Sequence, residues 1–202
     1  MNPSEFPEVQ SYPEIVNFLR VQVDMLFEDL RTLLRLPVYD LDAGCNLTVA
    51  AMLFNIIAGV SVCFYDASKD ALEERKNRGL RFKKLLIEYY PWDSESIAPE
   101  EGSRLLYEQA RNPLVHSLGL IDVRVEEAKP QPRLRKAPLT LGAIDELEEA
   151  LEKPTWLPHT LVIGPAQIEI CVPTLYWGLH RLLHKLFADE GQMSRASRLF
   201  NC

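Results

Sequence analysis

Leu47 to Tyr65 reads LTVAAMLFNIIAGVSVCFY, 19 residues without a charged side chain. An unbroken apolar run of that length is either a membrane span or a helix packed at the centre of a bundle. A span is expected to carry basic residues at one flank, whereas Asp42 and Asp66 bracket this run. Asn55, near its middle, would also be costly in lipid. The run is therefore predicted to be a core helix of a protein that does not enter a membrane. Asn46 is its expected N-cap, since a side-chain amide oxygen can accept an orphan N–H there.

The rest of the chain supplies partners for such a helix. Ile15, Leu19, Val23, Leu26, Leu30 and Leu33 recur at helical spacing, with Pro37 as a stop. The stretch DASKDALEERKNRGLR reads as a charged connector, and a short helix is predicted from Arg78 to Tyr90 with Leu80, Leu85, Leu86 and Tyr89 inward. Pro99 with Glu100 and Glu101 makes a favourable first turn for a fourth helix. Beyond Gly119 the pattern changes. LIDVRVEE alternates like a strand, KPQPRLRKAP is a proline-broken basic loop, and AIDELEEALEK reads as a short acidic helix. TLVIGPAQIEICV reads as two strands about a Gly164-Pro165 turn. Leu175, Leu179, Leu182 and Leu186 then mark a last amphipathic helix.

The expected fold is mainly α, an antiparallel helical bundle with a small β-hairpin or sheet inserted before its last helix. With 202 residues, 47% hydrophobic and 25% charged, the chain suits one globular domain over 1–202. Its bundle core is placed at 13–120, a β and loop insertion at 121–172, a closing helix at 174–188 and a polar, frayed tail at 189–202.

Several function classes are disfavoured. A net charge of −7 rules out coating nucleic acid by bulk positive charge, so any phosphate site must be local. Cys45, Cys63, Cys171 and Cys202 form no CxxC pair, and the apolar surroundings of Cys63 and Cys171 suggest reduced thiols in a cytoplasmic protein. The N-terminus lacks the basic start and apolar run of a signal peptide. There is no Walker loop, GxGxxG or GxSxG, and glycine is scarce at nine. No cofactor is expected. His180 and His184 stand four apart, a spacing that can bind a metal, but no third ligand accompanies them and no metal site is predicted.

The chemistry-bearing motif is QARNPLVHSLGL, residues 109–120. In a straight helix turning roughly 100° per residue, Arg111 and His116 would point about 140° apart. Pro113 removes a helical N–H and is expected to push Asn112 out of α geometry, bending the chain so that both side chains reach one cleft. Alternatively, two copies of the helix cross in a dimer and pair each His116 with an Arg111. These residue types suit metal-free RNA cleavage. Histidine can take the 2′-hydroxyl proton or protonate the leaving 5′-oxygen near neutral pH. A forked guanidinium matches the charge that builds on the phosphorane oxygens. Asn112 can orient the phosphate or the histidine through its amide. The plainer alternative is a polar helix end, with Arg111 favourable at the helix C-terminus.

The hexapeptide RNPLVH resembles the Arg–polar–x–x–x–His signature of the HEPN superfamily, helical and often dimeric domains, many of them metal-independent endoribonucleases. The order GCNLTVAAMLFNIIAGVS, RFKKLLIEYYP, LYEQARNPLVHSLG is similar to that family's core helices and extends the resemblance over about residues 13–120. It implies that Arg111 and His116 form the catalytic pair with Asn112 as polar neighbour, that the chain dimerises, and that RNA is the substrate. A toxin–antitoxin or defence role, with a neutralising protein partner, is one implied setting. The family also holds non-catalytic interaction modules, so a scaffold function stays open. For the RNA backbone, Arg78, Arg81, Lys83 and Lys84 are the candidate contacts, within a stretch 69–84 that carries seven basic residues against three acids. The basic loop 129–136 is a second possibility.

Overall fold

The computed structural model describes residues 14–34, 46–65, 71–116, 139–142, 159–164 and 168–200. The expected strand at 120–127, basic loop at 129–138 and acidic helix at 143–153 lie outside these residues, as does the side chain of Asn46.

The fold is mainly helical, an antiparallel bundle with a small sheet. Helix α1 spans Glu14–Leu34, α2 Asn46–Phe64 and α3 Ala71–Tyr89. A single 3₁₀ turn, Trp92–Ser94, leads to α4, Pro99–Leu105, with Pro99 in its first turn as expected. A π-helical turn, Leu106–Arg111, continues without interruption into α5, Asn112–His116. Helix α6 spans Val172–Phe187 and α7 Glu190–Phe200. Strands β1 (Leu139–Gly142), β2 (Leu161–Ile163) and β3 (Ile168–Cys171) form one sheet ordered β1-β3-β2. The expected pair β2–β3 is antiparallel, and β1 runs parallel to β3.

Helix α2 is the hub and packs on α1, α3, α6 and α7. Its buried side is Val49, Ala50, Leu53, Phe54, Ile56, Ile57, Val60 and Phe64. Phe54 meets Phe82 of α3 at 6.4 Å between ring centroids, and Phe64 meets Phe187 of α6 at the same separation. On the other flank Phe27 of α1 lies 5.1 Å from Tyr176. Each such large side chain contributes about 1.5–3 kcal/mol by leaving water. Helix α2 is not enclosed all round: 50% of its apolar window is buried, while Leu47, Thr48, Asn55, Gly59 and Val62 are exposed.

Three sequence expectations change. Helix α3 starts at Ala71, seven residues before Arg78, so most of the charged connector is helical. Its inward face is Phe82, Leu85, Leu86 and Tyr89, spaced three and four apart; Leu80 falls off that stripe and is 58% exposed. The segment after Asp189 is a helix rather than a frayed tail. Asp189 Oδ1 accepts the Gln192 N–H at 3.0 Å, capping α7, and Met193 and Ala196 bury against the bundle. Tyr89 of α3 donates its hydroxyl to Asp189 Oδ2 at 2.8 Å, tying the two helices together.

The sheet is fastened to the bundle at one buried polar knot. Tyr90, directly after α3, hydrogen-bonds through its hydroxyl to that of Thr160, at the edge of β2. The Glu95 carboxylate accepts the Thr160 N–H with both oxygens, at 2.9 and 3.1 Å. Gly178 of α6 lies against the Tyr90 phenol, leaving no room for a side chain there. Strand β3 runs directly into α6, so Ile168, Ile170 and Cys171 add to the same core.

Candidate functional site

Pro113 was expected to push Asn112 out of α geometry, and it does not. Asn112 keeps right-handed helical angles, φ −64° and ψ −49°, and the chain stays helical to His116. The accommodation occurs one turn earlier. A proline ring clashes with the carbonyl four residues back and offers that carbonyl no N–H. Widening the preceding turn relieves the conflict: the Asn112 N–H reaches Tyr107 O, five residues back, instead of Glu108 O. Such π turns are frequent at functional sites.

The wide turn arranges four side chains along one flank. The Arg111 guanidinium donates from Nη1 to Asn112 Oδ1 at 3.1 Å and lies 5.7 Å from the centre of the Tyr107 ring. Lys83 of α3 stands 5.8 Å from the same ring and 4.0 Å from Glu108. Tyr107 rests on Gly79 of α3, where a methyl group would approach its ring to 2.8 Å, and packs at 5.2 Å on Phe82. An aromatic ring with two cations within 6 Å of its centre, each attracted to its π face, helps fix where the charges sit.

Arg104 closes the upstream end. It reaches Glu101 through Nε at 2.8 Å and Nη2 at 2.6 Å, and Glu108 through Nη1 at 3.1 Å. The hydrogen bonds from Arg104 hold the Glu101 carboxyl below its usual range. Lys83 and Arg104 thus face Glu101 and Glu108, so these four charges balance, and Arg111 lies beside them over the Tyr107 ring.

The predicted residues separate on this geometry. Arg111 and Asn112 are together and half-buried. His116 is the final residue of α5, on the same continuous helix; its side chain lies outside the described residues. Of the expected RNA contacts, Lys83 joins the Arg111 cluster and Arg78 is exposed on α3. Arg81 does not line a surface groove, since it turns inward and is 5% exposed. Lys84 points to the opposite flank, 5.0 Å from the Tyr65 ring and 3.7 Å from Glu88. The basic stretch is therefore split by helical rotation into different faces. Tyr107 and Glu108 were missed from sequence; their positions four and three residues before Arg111 are the signal that could have found them.

His180 sits edge-on to Trp177 at 5.3 Å and to Phe27 at 5.8 Å, an aromatic setting, while His184 is exposed. Among the described residues no three His, Cys, Asp or Glu side chains converge as a metal site would require. Cys63 and Cys171 are free thiols, and burial pushes both up from the usual thiol pKa.

No family model matches the chain, and neither does any curated protein or solved structure.

Proposed function

We propose that the flank formed by Tyr107, Arg111 and Asn112 is the phosphate-handling half of a metal-independent endoribonuclease site of HEPN type, with His116 as its acid–base group. The observation that carries this reading is the π turn. It holds a guanidinium against an amide oxygen and an aromatic ring on the helix that ends in the only histidine of that region. In the reaction the ribose 2′-oxygen attacks phosphorus and the P–O5′ bond breaks, leaving a 2′,3′-cyclic phosphate and a 5′-hydroxyl. His116 takes the 2′-hydroxyl proton or supplies the proton that the 5′-oxygen gains. Arg111 neutralises charge on the non-bridging oxygens, and Asn112 fixes the orientation of the guanidinium. Of the four expected backbone contacts, Lys83 lies beside this flank and Arg78 is exposed on α3. Under this reading the protein works in the cytoplasm as the toxin half of a toxin–antitoxin or defence pair, with a protein antitoxin as partner.

The near balance of charge favours a second reading. With Arg81 turned inward and Glu108 beside Lys83 and Arg104, the flank also suits docking of a protein rather than a polyanion. Cleavage of single-stranded RNA in EDTA separates the two. The endonuclease reading expects chelator-resistant cleavage that falls by about 10²-fold or more in both His116→Ala and Arg111→Ala. Folded wild-type protein that leaves RNA intact rejects it in favour of the interaction module.

A further inference from the structure

Helix α3 buries one face and leaves an ordered one outside. Phe82, Leu85, Leu86 and Tyr89 point into the bundle. On the far side Lys76, Leu80, Lys83 and Ile87 recur at intervals of four, three and four. At roughly 100° and 1.5 Å per residue they keep within about 60° of arc over about 16 Å of helix. Leu80 is 58% exposed and Ile87 37%, so the core does not account for either. Lys83 and Lys84 stand on opposite margins of this apolar pair. Lys83 Nζ lies 5.8 Å from the centre of the Tyr107 ring and 4.0 Å from Glu108. Lys84 Nζ lies 5.0 Å from the centre of the Tyr65 ring and 3.7 Å from Glu88. Lys76 is exposed at the N-terminal end of the line. We propose that this face is the docking site for an acidic amphipathic helix of a partner protein.

The occupant follows from spacing and charge together. Leu80 and Ile87 are seven apart, the interval at which a helix laid alongside presents its own apolar residues. The lysines occupy the margins of that seam, where paired helices choose partners by charge, so carboxylates belong opposite them. Among the described side chains of the face, three lysines meet two glutamates, which leaves it net positive on a chain whose net charge is −7. Glu88 and Glu108 each stand beside one lysine, and the tyrosine rings add a cation–π attraction that helps hold both ammonium groups at the margins.

The same features disfavour other occupants. A second copy of this face would set one lysine margin against another, and like charges across a helix pair repel. RNA would gain nothing from Leu80 and Ile87, and Glu88 and Glu108 would oppose a polyanion. An acidic helix uses every part of the face: apolar residues in the seam and carboxylates toward Lys76, Lys83 and Lys84. The proposal stands apart from the RNA reading, because docking is measured by peptide binding whether or not RNA is cut.

The test uses the full-length chain and a fluorescein-labelled helical peptide with leucine at the seam positions and glutamate on both margins. Repulsion between its own glutamates keeps that peptide from pairing with itself. A second peptide carries lysine on the margins instead. Fluorescence anisotropy should show the glutamate peptide binding about tenfold or more tightly than the lysine peptide, and less tightly as salt is raised. Leu80→Ala combined with Ile87→Ala should weaken binding by about tenfold or more. Leu47→Ala, an equal loss of exposed apolar surface on α2, should leave it unchanged. Lys76→Glu combined with Lys84→Glu should reverse the preference in favour of the lysine peptide. Circular dichroism checks that each variant keeps its helices. Equal binding of the two peptides, binding of neither, or indifference to the Leu80 and Ile87 changes overturns the proposal. So does co-flotation with phosphatidylserine vesicles that those two changes abolish, which would give the face to lipid.

Discussion

Replacing Gly178 with alanine should destabilise the protein although it places a better helix former inside α6. The propensity gain is about 1 kcal/mol. Against it, the new methyl would overlap the hydroxyl of Tyr90, a buried side chain with a fixed partner. Overpacking of this kind costs about 1–3 kcal/mol. Displacing the phenol also strands the Thr160 hydroxyl in a buried position, a further loss of about 1–3 kcal/mol. The net expectation is a destabilisation of about 1–5 kcal/mol. Urea unfolding of Gly178→Ala, Tyr90→Phe and the double variant measures it. Tyr90→Phe leaves the ring carbons in the path of the methyl, but both single changes lose the same Thr160 hydrogen bond, so the double variant should be more stable than the two single losses added together. Stabilisation of Gly178→Ala by the propensity gain alone, or simple additivity, would refute the picture of Tyr90 wedged between α6 and the sheet.

Gly79→Ala should lift the Tyr107 ring off α3 and lower any RNA cleavage by about tenfold or more with little loss of helix content, given how steeply catalysis depends on placement; unchanged activity would remove Tyr107 from the site. Asp189→Ala should cost about 0.5–2 kcal/mol at neutral pH by uncapping α7. The Gln192 backbone N–H and the Tyr89 hydroxyl hold Asp189 below its ordinary 3.8, so its contribution is present above that pH and fades as the pH falls through the lowered folded value. Thermal melts of wild type and variant should accordingly converge in strong acid, and a gap that widens there would contradict the sign. Arg104→Ala should change stability by no more than about 1 kcal/mol, because its carboxylate partners are largely solvated; a larger loss in urea titration would mean that the clamp supports the π turn.

What could be read from sequence was the local and periodic part. The uncharged run at 47–65, the Pro99 start and the β2–β3 pair about Gly164 each carry their signal within a few neighbouring residues. What could not be read depends on packing. Strand β1 gains its partner in β3 from residues far along the chain, and four residues of LTLG announce no such pairing. Among the described side chains of α7, only Met193, Ala196 and Ser197 are buried, a stripe too thin to stand out beside its polar residues. Arg81 and Lys84 sit three apart in one basic run, yet helical rotation buries the first and exposes the second. The same limit applies at Pro113. Proline chemistry correctly signals a conflict in the hydrogen-bond ladder, and only the fold reveals that a wider turn upstream resolves it without a break.

The most direct trial of the proposed chemistry is end-group analysis of a 5′-labelled RNA incubated with the protein in EDTA. Wild type should yield fragments ending in 2′,3′-cyclic phosphate, and Arg111→Ala and His116→Ala should yield almost none. Fragments of the same kind at the same rate from both variants would contradict a shared role for the two side chains, as would cleavage that appears only when a divalent metal is restored.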